Sequence, residues 1–462
     1  VNKLIDGNYT FYAHSTDPAG NTSPCSNASV SYLLDTVPPS SPKLLAFKKP
    51  DKSPGNNSTP EVIVNEIQSK ELIQVFTDNK CLNLKGSATS DGKSVSVKLQ
   101  TLVEGNYTFF AMATDQAGND STCSSDGLGY LLDLTPPKVP SKLTLKSPLK
   151  SPSNNPLPTV VVNGVAPEEI IEIFSDNSCK NLKGTGKANG SSIEVTTKSL
   201  PEGNYTFFAK STDPAGNSSS CSTASISYLL DLTPPNIPSG IALKAPLASP
   251  GNNPKPTVVV SGVAQEETVE IFTENSCKNL KGSGQSLGST LEITTASLPE
   301  GNYTFFAKST DLAGNSSTCS SVSASYLLDL TPPAKPSQLA FKGGITSPGN
   351  EPEPVITVNG VENWDTVELF LESSCEKRSV FGLATGKSID LKLSSLKEGN
   401  YTFYAKSTDL AGNSSACSSS SLSYLLDLTP PNVPNNLLLK THSKSPLSHG
   451  HTSHTLHDPY PN

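Results

Sequence analysis

Between Pro136 and Asp231, short runs rich in β-branched and aromatic residues alternate with turn residues, and no stretch repeats its apolar positions with a helical period. The runs predict strands near Lys142 to Lys146, Thr159 to Asn163, Ile170 to Ser175, Leu182 to Lys187, Ser192 to Thr197, Tyr205 to Thr212 and Ser222 to Leu230. Alternation with period two puts Tyr205, Phe207 and Ala209 on one face, with Ile226, Tyr228 and Leu230 as a facing set, and predicts these as core. Asn189-Gly190 and Asp91-Gly92 are expected to supply the positive φ of a tight hairpin. Seven strands in about 98 residues predict an all-β, immunoglobulin-like sandwich.

The pattern recurs. GNYTF starts at Gly7, Gly105, Gly203, Gly301 and Gly399, and proline pairs start at Pro38, Pro136, Pro234, Pro332 and Pro430, always 98 residues apart. That period is too long for a solenoid unit and suits one small domain. Residues 39–136, 137–234, 235–332 and 333–430 are therefore read as four complete sandwiches in tandem. Residues 1–38 hold only the C-terminal part of a repeat, expected to be too short to close a sandwich and to stay disordered. Residues 431–462 start a further repeat and run into a His-rich tail, with His442, His449, His451, His454 and His457, that is expected to be disordered. The chain is thus read as a segment of a longer array, each repeat having neighbouring repeats as its first partners.

Composition narrows the function classes. Only 34% of the 462 residues are hydrophobic, so cores must be thin and many. A net charge of -8 argues against nucleic acid, whose phosphates need a basic surface. No run of about 18 apolar residues predicts membrane insertion of this segment. From Pro39 to the tail there is no histidine, so a serine or cysteine nucleophile lacks the usual base, and an enzyme is not expected. GLATGKS at Gly382 has three residues between its glycines where a phosphate-binding loop needs four, and it reads as a turn.

The order PTVVVNGV, EIIEIFSDNSCKNLKGTG, LPEGNYTFFAKSTDPAGNSSSCS and YLLDLTPP resembles the tandem bacterial immunoglobulin-like domains of large surface adhesins. GNYTFFAKSTDPAGN and DLTPP are its most specific pieces, and the resemblance covers roughly residues 1 to 440. It implies a secreted, surface-exposed spacer or adhesive role without chemistry of its own, and Ca²⁺ between domains in some members. Two phased cysteines per repeat depart from the family pattern.

Those cysteines form two series, Cys25, Cys123, Cys221, Cys319, Cys417 and Cys81, Cys179, Cys277, Cys375, which suits an oxidising compartment. Pairing inside a repeat is favoured: Cys81 with Cys123, Cys179 with Cys221, Cys277 with Cys319 and Cys375 with Cys417. An objection stands beside it. If the strand ending at Ser175 runs antiparallel to the one starting at Tyr205, Cys179 and Cys221 fall at opposite ends of the sandwich, and bridges between repeats or reduced cysteines stay open.

Carboxylates offer the best site for chemistry. Asp35, Asp133, Asp231 and Asp329 end their repeats, while Asp115, Asp213, Asp311 and Asp409 open a turn in the next, so the two sets are expected to meet at the joints and to hold structural Ca²⁺. No other cofactor is required. Ordinary turn formation explains the same aspartates. Phe110, Phe208, Phe306 and Tyr404, opposite in parity to the core aromatics, are expected to form an exposed aromatic surface for a glycan or protein ligand. Two functions remain: a non-catalytic extracellular stalk or adhesive module, or the accessory, carbohydrate-binding array of a secreted multidomain enzyme.

Overall fold

The structure, a computed structural model, describes residues 3–435; the five tail histidines lie outside the described residues. In the second repeat the strands are β1 Lys142–Ser147, β2 Thr159–Asn163, β3 Ile170–Phe174, β4 Leu182–Lys187, β5 Ser192–Thr196, β6 Gly203–Thr212 and β7 Ile226–Leu230. They make a three-stranded sheet in the order β1-β2-β5 and a four-stranded sheet in the order β4-β3-β6-β7, with every pair antiparallel. The same strands and orders recur from Lys43–Lys49 to Leu128–Leu132, from Gly240–Ala245 to Ala324–Leu328 and from Gln338–Phe341 to Leu422–Leu426. The chain is therefore all-β, a tandem series of immunoglobulin-like sandwiches. The described residues pack as two compact units, one of residues 3–241, Val260–Ile293 and Phe306–Val322, the other of Ala242–Val259, Thr294–Phe305 and residues 323–435.

The N-terminal piece differs from the disorder expected of it. Gly7–Phe11 pairs with Val30–Leu34 as a two-stranded antiparallel sheet, because this hairpin needs no contribution from the missing strands.

Each core is built from alternate residues of both sheets. In the second repeat Val160, Val162 and Val195 face Ile171, Ile173, Phe207, Ala209, Tyr228 and Leu230, all almost fully buried. Tyr205 and Ile226, expected beside them, sit half-buried at the margin. The buried Tyr228 ring needs a partner for its hydroxyl, which donates to the Asn155 carbonyl, as Tyr130 does to that of Asn57 at 2.9 Å.

The ten-residue β6 does two jobs. Its first half, Gly203–Phe207, pairs with β7, and its second half, Phe208–Thr212, pairs with β3. Beyond Thr212 the chain turns and runs back beside that second half without forming a regular strand. Ser219 and Ser222 donate their N–H groups to the carbonyls of Ser211 (2.8 Å) and Ala209 (2.9 Å), and their hydroxyl oxygens accept the N–H groups of the same two residues at 3.0 and 2.9 Å. A side chain thus replaces the missing backbone acceptor, so the strand predicted from Ser222 begins only at Ile226.

Asn189-Gly190 does not close a hairpin either. The strands it joins, β4 and β5, belong to different sheets, and neither Gly190 nor Gly92 takes a positive φ.

Candidate functional site

Two constructions repeat in every sandwich: the disulfide and the joint to the preceding repeat. The bridges are Cys81–Cys123, Cys179–Cys221, Cys277–Cys319 and Cys375–Cys417, with Cα atoms 5.7 to 5.9 Å apart, and Cys25 is free and exposed. The objection from topology fails because β3 faces only the far half of β6. Phe174 is level with Phe208, midway along β6, and the returning chain brings Cys221 back to that level. Asp176 shapes the other side, its carboxylate accepting the N–H groups of Ser178 (3.0 Å), Lys180 (3.1 Å) and Asn181 (2.7 Å). The loop so wrapped puts Cys179 in the left-handed region at φ 50°. The Ser178 hydroxyl is the largest influence holding the Asp176 carboxyl below its usual range, and the Asn83 N–H does the same for Asp78.

At the joint, Asp213 opens the turn Asp213–Asn217. Its Oδ1 accepts the N–H groups of Gly216 and Asn217, both at 2.8 Å, and Gly216 sits at φ 97°, where a Cβ would be strained. The Asn217 amide then divides its two protons. One goes to Asp213 Oδ2 at 3.0 Å, the other to the backbone carbonyl of Asp133, at the end of the preceding repeat, at 2.8 Å. The same bond joins Asn119 to Asp35 (3.0 Å), Asn315 to Asp231 (2.8 Å) and Asn413 to Asp329 (2.8 Å). Asp115 and its amide Asn119 show the electrostatic side, that hydrogen bond being the largest cause of a carboxyl pKa below the usual value.

The eight aspartates therefore do reach the joints, but not as a converging carboxylate set. What meets the turn from the preceding repeat is the carbonyl of Asp133, while its carboxylate turns back to accept Thr135 N–H at 3.0 Å. Glu104 accepts the Thr135 hydroxyl at 3.0 Å, and Glu169 is buried, accepting Ala166 N–H at 3.0 Å. A cavity of about 350 Å³ at this joint is lined by Lys52 and Lys187 as well as Glu168 and Asp213. Among the described residues no three His, Cys, Asp or Glu side chains converge. A Ca²⁺ ion needs six to eight oxygens and would meet an amide NH₂ and two lysines here, so the donor set as arranged does not fit it.

The asparagine went unread in the sequence, although the signal was there. In the turn D-x-A-G-N the second residue varies, Pro18, Gln116, Pro214, Leu312 and Leu410, while Asn21, Asn119, Asn217, Asn315 and Asn413 never change.

The aromatic positions expected at the surface pair across the sheet. Phe208 lies directly opposite Phe174, Phe110 opposite Phe76, Phe306 opposite Phe272 and Tyr404 opposite Phe370. The partners on β3 are buried, and Phe110, Phe208, Phe306 and Tyr404 are themselves only half-exposed.

Among the described residues no helix is long and apolar enough to cross a membrane. No family model matches the chain, and no curated protein matches it. Solved structures do. The FN1–FN3 domains of chicken CNTN1 are similar at 14% identity, covering 63% of this chain and 99% of that one, with a TM-score of 0.29. The fibronectin(III)-like modules of Clostridium thermocellum CbhA match at 13% identity over 41% and 94% of the two chains, with a TM-score of 0.27. The BSP domain of a biofilm associated protein matches at 11% identity over 85% and 97%, with a TM-score of 0.17. At these scores they add nothing to the topology described above.

Proposed function

We propose that this chain is a stretch of bacterial immunoglobulin-like repeats from a large surface adhesin, acting outside the cell as a non-catalytic stalk or adhesive module. The carrying observation is the amide bond from the D-x-A-G-N turn of each of the four sandwiches to the residue just after the last strand of the repeat before it, present at all four joints. Such a chain grows by addition of identical joints and needs no chemistry within a repeat. Four phased disulfides support an oxidising, extracellular setting. Displayed on the surface of otherwise non-adherent cells, the chain should raise attachment to surfaces or to like cells. Equal attachment with and without it would overturn the reading.

Ca²⁺ at the joints is a competing proposal for what holds them, since an ion there would have to take Asp213 and the Asp133 carbonyl away from the Asn217 amide. The amide reading expects a melting temperature indifferent to chelator and lowered by Asn217→Ala. Chelator acting on the wild type as Asn217→Ala does would hand the joint to the ion.

A further inference from the structure

The four repeats serve as controls for one another, and one surface sets the fourth apart. Its β4 strand, Arg378–Leu383, is the edge of the four-stranded sheet, so one side of its backbone has no strand beside it. In the first three repeats this edge reads LKGSAT, LKGTGK and LKGSGQ, with a lysine at the second position (Lys85, Lys183, Lys281) and glycines that weaken strand pairing. In the fourth it reads RSVFGL: the lysine is Ser379, a glycine is Val380, and Phe381 replaces a serine or threonine.

The neighbouring side chains change with it. In the second repeat Glu168 and Lys187 form an exposed ion pair at 2.5 Å. Their counterparts in the fourth are Trp364 and Leu383, each 50% exposed, beside Phe381 at 57%. Trp364 is the only tryptophan in the chain and sits at φ 74°. Arg378 lies over the Phe381 ring at 4.5 Å and is neutralised by Glu368 at 2.9 Å, so the face offers no free charge from Arg378 to hold an acidic partner.

We infer that this edge of the fourth repeat is a self-association site, taking the same edge of a second copy of the chain in antiparallel register. An antiparallel pair is its own complement. It sets Phe381 of each copy near the middle of the pair and brings the exposed Lys377 at one end of one edge to the exposed Glu362 and Trp364 at the opposite end of the other, ammonium against carboxylate and ring. The three exposed apolar side chains amount to roughly 300 Å² per copy. Two copies together stay well below the 1,200 Å² or so of a stable interface, so the pair is weak alone and effective when many chains are held side by side. This goes beyond the stalk reading and is read in solution, independently of cell attachment.

The test uses the whole chain with Cys25 alkylated, so that no intermolecular disulfide forms. Sedimentation equilibrium should show the mass rising above 48.5 kDa with concentration, and Trp364 emission should shift to the blue over the same range. Trp364→Glu, Phe381→Thr and Leu383→Lys together install the second repeat's own residues, a combination that already folds in this chain. They should lower the association constant at least tenfold with circular dichroism unchanged. Glu168→Trp, Thr185→Phe and Lys187→Leu, added to that variant, should restore association. A mass fixed at the monomer up to about 1 mM, or a triple variant that associates like its parent, would overturn the inference. So would a Trp364 shift produced by a soluble polysaccharide or an unrelated peptide at concentrations where the chain is monomeric.

Discussion

One proton decides the character of each joint. Asn217 is the right residue because its amide has two donors, one for its own turn and one for the neighbour; aspartate there would offer only acceptors to a carbonyl and a carboxylate. Asn217→Ala should cost about 1 kcal/mol, and Asn217→Asp more, read as a lower melting temperature of the two adjoining repeats while the others keep theirs. Titration gives a second expectation. Asp78, Asp115 and Asp176 have folded-state pKa values below 3.8 because hydrogen bonds favour their charged form, so their stabilisation is present above that value and is lost as pH falls through the lowered pKa values. Tyr130, Tyr228 and Tyr326 are raised above 10.0 by burial, so their contribution is complete below that value and fades as pH climbs through the raised pKa values. Melting temperature against pH should thus fall off at both ends, below about 4 and above about 10. A profile flat to pH 2.5 would refute the carboxylate account.

The element that organises each sandwich is β6, serving β7 with one half and β3 with the other. The disulfide depends on this division, since it joins the loop after β3 to the strand-like return beside the second half of β6. Replacing Cys179 and Cys221 by alanine opens a 42-residue loop and should cost about 4 kcal/mol on the chain-entropy estimate, measured as a lower denaturant midpoint for that repeat alone. Ser222→Ala should cost 1 to 3 kcal/mol or so, because the buried Ala209 N–H then loses its acceptor. Strand positions were legible in the sequence since period-two alternation is strong where one face is buried, and β2 to β5 end within a residue of the pattern's limits. What stayed illegible depends on pairing. The alternation in GNYTFFAKST does not say that its two halves have different neighbours, so it cannot set the level of Cys179 against Cys221, show how far Phe208 is exposed, or tell the serine-rich return from a strand. Asn189-Gly190 looks like a hairpin locally and becomes a crossing between sheets only in three dimensions.

At the scale of the whole molecule, one 98-residue clock governs strands, bridges and joints alike. Limited proteolysis is expected to cut in the proline-bearing linkers and leave fragments near multiples of one repeat, whereas cuts scattered through the sandwiches would contradict separate cores. Without reductant a single thiol, Cys25, should react with an alkylating agent, and after reduction and unfolding all nine.

The bridge also sets how far a repeat yields when its two ends are drawn apart. The bonded cysteines stand 42 positions apart in a repeat of 98, and the segment between them cannot be paid out while the bond holds. A ruptured sandwich therefore lengthens by roughly 140 Å less than its reduced counterpart. Under load, each repeat is a tether with a covalent stop.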